Sequence, residues 1–249
     1  MAKRMMVRLE VADHVAVVSL DDEAGRNALS EQLVHELSQT LATAGADRSV
    51  HAIVLAGRPD VFCTGASRDM LRAIVDGRVA PTDIVLPRAV LDLQVPVIAA
   101  MAGHAIGGGL ALGLCADLVI IARESRYGAS FMNMGFTPGM GITRLLEHVL
   151  SGAVAHELLY TGENRRGDAF IGNSGINYIL PRAEVLPRAM QLAARIAEKP
   201  RYALEALKRT LSLPRRHAYE ASRTIESLMH DVCFAQPDIG RRIEDNYDQ

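Results

Sequence analysis

Residues 96–121 read PVIAAMAGHAIGGGLALGLCADLVII, and the fold turns on how that run is parsed. Val97–Met101 is a short buried strand and Leu118–Ile121 a second one, with an apolar helix starting at Leu110 between them. Gly107, Gly108 and Gly109 fall at the strand-to-helix junction, where backbone N–H groups stay uncovered by side chains at the positive end of a helix dipole. Such a corner can hold a phosphate or a developing oxyanion, or serve only as a tight packing turn. A second stretch, Val61-Phe62-Cys63-Thr64-Gly65-Ala66-Ser67-Arg68-Asp69, repeats the arrangement. It follows a buried strand at Ala52–Ala56 and a Gly57–Asp60 turn, and Ser67 caps a helix running to Gly77. The amides of Ala66 and Gly108 thus leave neighbouring strands in equivalent places. Two such exits can aim two donors at one carbonyl oxygen, each typically worth roughly 10²–10³ in rate.

The remaining composition sets bounds. The chain has 249 residues, a net charge of −2, 49% apolar residues, 4% aromatics and no Trp. That suits an α/β core packed with Leu, Val, Ile, Ala and Met, plus a helical appendage. Near-neutral charge argues against nucleic acid as the main partner. Cys63, Cys115 and Cys233 are odd in number and lack metal-ligand spacing, which predicts a reduced, cytoplasmic protein without a metal. The N-terminal MAKRMMVRLE lacks the apolar run of a signal peptide, and the glycine-interrupted run with His104 and Asp117 is no membrane span.

Along the chain, Val7–Val11 and Val15–Leu20 read as a hairpin, and Ser30 caps a helix to Ala44 with Leu33, Leu37 and Leu41 on one stripe. A helix is expected over Thr82–Leu93. After a last strand at Ile176–Leu180 nearly everything is helical: Ala183–Glu198, Pro200–Leu211, Ala218–Ala235 and Pro237–Tyr247, with Pro214 as punctuation between helices. The division is a core over 1–180 and a helical region over 181–249, which covers the site or packs on another subunit.

Phe62–Asp69, Pro96–Asp117 and Gly135-Phe136-Thr137-Pro138-Gly139-Met140-Gly141 together resemble the crotonase, or enoyl-CoA hydratase/isomerase, superfamily. The resemblance implies a spiral of ββα turns with a helical C-terminal region, assembled as trimers or dimers of trimers. It also implies acyl-thioester substrates and an oxyanion hole made by the amides of Ala66 and Gly108. The two glutamates of the family's hydratases fall here on Ala111 and Phe131, and neither can activate water. Between Leu110 and Met140 the carboxylates are Asp117, where the family has a structural Asp, and Glu124.

The run 104–121, Glu124–Tyr127, Phe131–Gly141 and Leu180–Leu186 resemble one branch in particular, the crotonase-like decarboxylases of polyketide β-branching. For this chain the branch implies decarboxylation of a 3-methylglutaconyl-type thioester, carried on acyl carrier protein or CoA, to a 3-methylcrotonyl-type product. No cofactor is implied beyond the phosphopantetheine or CoA arm. His230 aligns with the His that this branch uses near the acyl group. Arg68 and Arg72, four apart on the helix after Ala66, are candidates to receive the carboxylate, with Met70 and Ile74 standing where relatives often have Lys or Tyr. Gly107, Phe131 and Thr137 are placed at the acyl pocket, with Met132 and Met134 as further lining. His104 is read as a packed residue, and His148, His156 and His217 carry no role. Lys199, Arg201, Lys208, Arg209, Arg215 and Arg216 make the late helices basic, a face for a carrier protein or simply a solvated surface. Two other functions stay open: an enoyl isomerase using His230 alone, and a silent thioester-binding protein.

Overall fold

The computed structural model describes residues 5–247; the basic Lys3 and Arg4 of the N-terminal stretch lie outside the described residues. β1 (Val7–Ala12) and β2 (Val15–Leu20) pair antiparallel. Asp13 and His14 turn the hairpin at φ 47° and 65°, the doubly left-handed geometry that matches the twist of the flanking strands. Ser30 caps α1 (Glu31–Ala46) by accepting from the Leu33 amide at 3.2 Å. β3 (Ala52–Ala56) and β4 (Val61–Cys63) follow, and Ser67 caps α2 (Arg68–Val75) through the Met70 amide at 3.1 Å.

The expected helix over 82–93 is broken into a 3-10 turn at Pro81–Asp83 and α3 (Leu86–Leu91). Pro87 has no N–H to give the Asp83 carbonyl, which weakens a helix there, and the chain leaves helical geometry at Ile84, ψ 86°. Next come β5 (Val97–Met101), β6 (His104–Ile106), α4 (Gly108–Leu114), β7 (Leu118–Ala122) and β8 (Arg126–Gly128). A 3-10 turn at Ser130–Met134 leads to α5 (Ile142–Val149), α6 (Gly152–Thr161), β9 (Asn164–Arg166) and β10 (Tyr178–Leu180). The chain closes with α7 (Arg182–Ala197), α8 (Arg201–Leu211), α9 (Leu213–Phe234) and α10 (Ile239–Asn246). Pro214 lies in the first turn of α9 rather than between helices, a position where its missing N–H breaks no bond.

The strands form two sheets, one in the order β1-β2-β3-β5-β7-β10 and one in the order β4-β6-β8-β9. Beyond the β1–β2 and β8–β9 pairs every ladder is parallel. The central strands β3, β5 and β7 are apolar on both faces, as a covered parallel sheet must be. Val54, Ile98 and Ile120 face α7, which meets them with Val185, Ala189, Ala193 and Ala197, a small-residue stripe that lets the helix sit close. Ile53, Leu55, Val97, Ala99 and Val119 face the other way, into the larger core with Leu33, Leu37 and Leu41.

The late basic residues are mostly tied within this core. Asp117 accepts from the Val97 amide at 2.8 Å and pairs with Lys208 and Arg215, joining α8 and α9 to the edge between β5 and β7. Arg201 reaches the Gly45, Asp47 and Val50 carbonyls, and Arg216 reaches the Leu91 carbonyl and Asp92. Lys199 pairs with Glu198. The basic face expected from the sequence is largely a set of internal staples.

Candidate active site

The corner that carries the Ala66 and Gly108 amides is built by backbone contact. β4 and β6 run parallel, with Val61 opposite His104 and Cys63 opposite Ala105. A β-carbon at Gly103 would lie 2.2 Å from the Val61 nitrogen, and one at Gly109 would lie 2.1 Å from the Cys63 carbonyl oxygen. No side chain fits either place. Gly65 turns at φ +86°, and a β-carbon there would be 3.3 Å from the Gly108 nitrogen, so the two exits touch.

Both amides stay available. The Leu29 amide donates to Gly65 O at 2.7 Å and the Ser67 amide donates to Leu29 O at 3.2 Å. That alternation turns the intervening Ala66 N–H to the opposite side. Gly108 opens α4, where a first-turn N–H has no intrahelical acceptor. Among the described residues neither N–H donates to a backbone or side-chain acceptor. Asn27, fully buried at φ +54°, holds the supporting loops: its side-chain amide donates to Leu20, Val61 and Phe62 carbonyls at 3.1–3.2 Å. Sequence reading missed it, because its partners lie in two segments about forty residues apart.

Ala66, Gly107 and Gly108 open onto a cavity of about 570 Å³. Its far wall is Phe131, Met134, Phe136, Met140, His230 and Phe234. Phe131 stands next to the glycines, its ring tip 3.7 Å from where a Gly107 β-carbon would be. Ala111 is buried behind the corner and does not line the cavity, and Met132 is exposed. Among the described residues, no Asp, Glu or Lys lines the cavity. Low polarity around the two amides raises the electrostatic value of each.

His230, 6% exposed on α9, sits between the edges of the Phe136 and Phe234 rings. Its Nε2 lies 3.0 Å from the Thr137 carbonyl oxygen. A carbonyl only accepts, so Nε2 carries the hydrogen and Nδ1 is left to exchange a proton. Thr137 itself does not line the cavity; its carbonyl orients His230.

His104 is not simply packed. It lines the cavity, and its Nδ1 accepts from the Arg126 amide at 2.8 Å, which leaves Nε2 as a donor. Burial first, then the nearby Arg182, Arg26 and Arg126 charges, lowers its pKa below the ordinary 6.5. Arg68 and Arg72 do not enter the cavity. Both pair with Glu244 of α10, Arg72 Nε at 2.7 Å, and Arg68 also stacks 4.5 Å from the Tyr247 ring centroid. They lie on the outer side of α2, whose inner face sends Leu71 and Ile74 to the cavity and buries Met70. Tyr247 and Asn246 also line the cavity, and the Tyr247 hydroxyl donates to Ala66 O at 3.0 Å.

Two main-chain N–H groups without a protein acceptor among the described residues thus open onto an apolar cavity between the two sheets' strand ends and the C-terminal helices. The chain belongs to the enoyl-CoA hydratase/isomerase family, which it matches over residues 10–244. It is 38% identical over 240 residues to the bacillaene synthase decarboxylase PksI of Bacillus subtilis, covering 96% of each chain. A solved structure from a dehydratase/decarboxylase enzyme couple of polyketide β-branching superposes with TM-score 0.93 at 38% identity, covering 98% of this chain and 100% of that one. The decarboxylase domain of CurF from Lyngbya majuscula superposes with TM-score 0.88 at 36% identity, covering 96% and 98%. The crotonase-type fold with a helical C-terminal region is therefore confirmed.

Proposed function

We propose that this protein decarboxylates a 3-methylglutaconyl-type thioester to a 3-methylcrotonyl-type thioester during polyketide β-branching. The observation that carries this reading is the wall over the paired amides: Phe131 and its apolar neighbours stand where activating water would need a carboxylate. Decarboxylation needs no such base. The bond to the departing CO₂ breaks, and its electron pair passes through the conjugated double bond into the thioester carbonyl. The resulting dienolate carries its charge on oxygen, where the Ala66 and Gly108 amides donate. His230 then delivers one proton to the carbon that lost CO₂ and is recharged from solvent. The chemistry requires no metal or redox group. Similarity to decarboxylases at 36–38% identity across nearly the whole chain supports the same assignment.

The substrate arm is read as phosphopantetheine on an acyl carrier protein. Arg26 and Arg126 support this: both are exposed at the cavity, and among the described residues neither has an ion-pair partner. The three free thiols fit a reducing cytoplasm. A homo-oligomer, trimer or dimer of trimers, is supported by Ile225, Leu228 and Val232, which are 48%, 63% and 65% exposed along one side of α9. Light scattering at working concentration tests it.

The deciding experiment incubates the purified protein with the carrier-bound 3-methylglutaconyl thioester and follows intact mass. Loss of CO₂ is expected. A thioester of unchanged mass after long incubation overturns the reading.

A further inference from the structure

α9 meets the 137–143 turn at three levels. The Tyr219 ring lies against Gly141, where a β-carbon would be 2.3 Å from Cδ2. His230 lies against Gly139, with Cε1 2.9 Å from where a β-carbon would sit, and holds the Thr137 carbonyl. Between them Glu226, only 3% exposed, accepts from the Gly141 amide at 2.7 Å, the Thr143 amide at 3.1 Å and the Thr143 hydroxyl at 2.7 Å. Those amides are the start of α5, whose own N-cap, Gly141, supplies no side-chain acceptor. A carboxylate from another helix does that work, and it matches the positive end of the α5 dipole.

The turn it holds is strained. Met140 sits at φ +61°, a region costly for a side-chain-bearing residue, and Gly141 at +79°. In that conformation the Met140 sulfur packs over the oxyanion donor, 2.7 Å from where a Gly108 β-carbon would be. Glu226 and His230 are four residues apart on one buried face of α9. One carboxylate thereby ties the imidazole, the strained turn and the Gly108 corner into a single rigid unit.

We infer that Glu226 is a positioning residue that fixes His230 over one carbon of the dienolate and so sets where the proton goes. The inference rests on the decarboxylase reading. The dienolate can be protonated at the carbon that lost CO₂, giving the conjugated 3-methylcrotonyl product, or next to the thioester, giving the unconjugated isomer. The position of His230 relative to the two carbons is the lever the protein has over that choice.

The test measures kcat, KM and the isomer ratio, by NMR of the product formed in D₂O, for wild type, Thr143→Val and Glu226→Gln. Thr143→Val removes one of the three hydrogen bonds and keeps the carboxylate, so it folds even if the Gln variant does not. In Glu226→Gln, either flip of the amide sets an N–H against a backbone N–H. A misplacement approaching 1 Å can cost about 10²-fold. We expect kcat to fall about two- to fivefold in Thr143→Val and at least about tenfold in Glu226→Gln, with KM within about twofold and the unconjugated isomer rising in the same order. A lower melting temperature with kcat and a single product unchanged, in either folded variant, overturns the assignment. Wild-type protein that releases no CO₂ overturns the decarboxylase reading and this inference with it. Wild-type turnover with no change in isomer ratio overturns the inference alone.

Discussion

The two walls of the cavity are held together in different ways. The near wall, residues 57–68 and 103–110, is backbone against backbone: Gly103 on Val61, Gly109 on Cys63, Gly65 beside Gly108. The far wall is side chains fixed by polar contacts between distant segments, with Glu226 on Thr143, His230 on Thr137, and Asn133 donating to Gly162 O at 3.0 Å. A backbone wall has little slack, because its close contacts are between main-chain atoms that cannot rotate away as a side chain can. A side-chain wall can repack. The near wall therefore tolerates almost no substitution, and the far wall tunes rate and product.

The sharpest break of that contrast is Gly109→Ala. Its methyl would meet the Cys63 carbonyl at 2.1 Å, a backbone atom with nowhere to move. We expect a stability loss of about 3 kcal/mol, at the upper end for overpacking, and no measurable turnover. Thermal melting and the CO₂ assay check this. An active, equally stable variant would show the near wall to be softer than its contacts imply.

His230→Ala tests the far wall at its reacting end. Losing a positioned proton donor should lower kcat by about 10²-fold or more, with product isomers formed in the proportions water dictates. The fold should persist, since the residue meets the neighbouring rings by their edges and gives up one hydrogen bond, to the Thr137 carbonyl. Wild-type turnover in this variant would remove His230 from the reaction.

The same difference explains what could be read from the chain alone. Near-wall geometry is local: two strand–glycine–helix passages, each within about a dozen residues, carry their own signature in period and punctuation. So do the hairpin, the Ser30 and Ser67 caps and the Leu33-Leu37-Leu41 stripe. Far-wall geometry is set by pairs up to about a hundred residues apart, which no periodicity reveals. Glu226 did carry a faint signal, four residues before His230 on a helix, but its partners on the 141–143 turn did not. Arg68 and Arg72 misled for the same reason. Helical spacing puts them on one face of α2 without saying that Glu244 waits outside that face. Pro214 and Pro87 show the converse, since a proline's effect depends on whether the N–H it lacks had a partner to lose.

Phe131→Glu sharpens the comparison from the seam between the walls. The new carboxylate would project beside Gly107 into a cavity whose lining, among the described residues, carries Arg26 and Arg126 as its fixed positive charges. It would repel the carboxylate of the substrate and carry its own burial cost. We expect kcat/KM for decarboxylation to fall about tenfold or more, mostly through KM, since a repulsion present in the bound ground state weakens binding. Unaltered KM would place the substrate carboxylate away from Phe131, toward Tyr247 and Asn246.

Arg72→Gln should do least, and that smallness is informative. If Arg72 received the substrate carboxylate, its loss would raise KM steeply. Holding Glu244 instead, half-exposed on the outer side of α2, it should leave kcat and KM within about twofold, as exposed ion pairs contribute little. Its effect should appear on α10. The Arg72 and Arg68 hydrogen bonds hold the Glu244 carboxyl below the usual glutamate value of 4.5. A carboxyl depressed in the folded state stabilises above its unfolded pKa, and that contribution is lost as pH falls through the folded value. Amide protection across 239–246, corrected for the intrinsic slowing of exchange in acid, should therefore fall in wild type only below about pH 4.5, and in Arg72→Gln the pH step should shrink because the pair is already weakened. A steep KM effect with no change in α10 exchange would return Arg72 to the substrate and make the outer face of α2 part of the site.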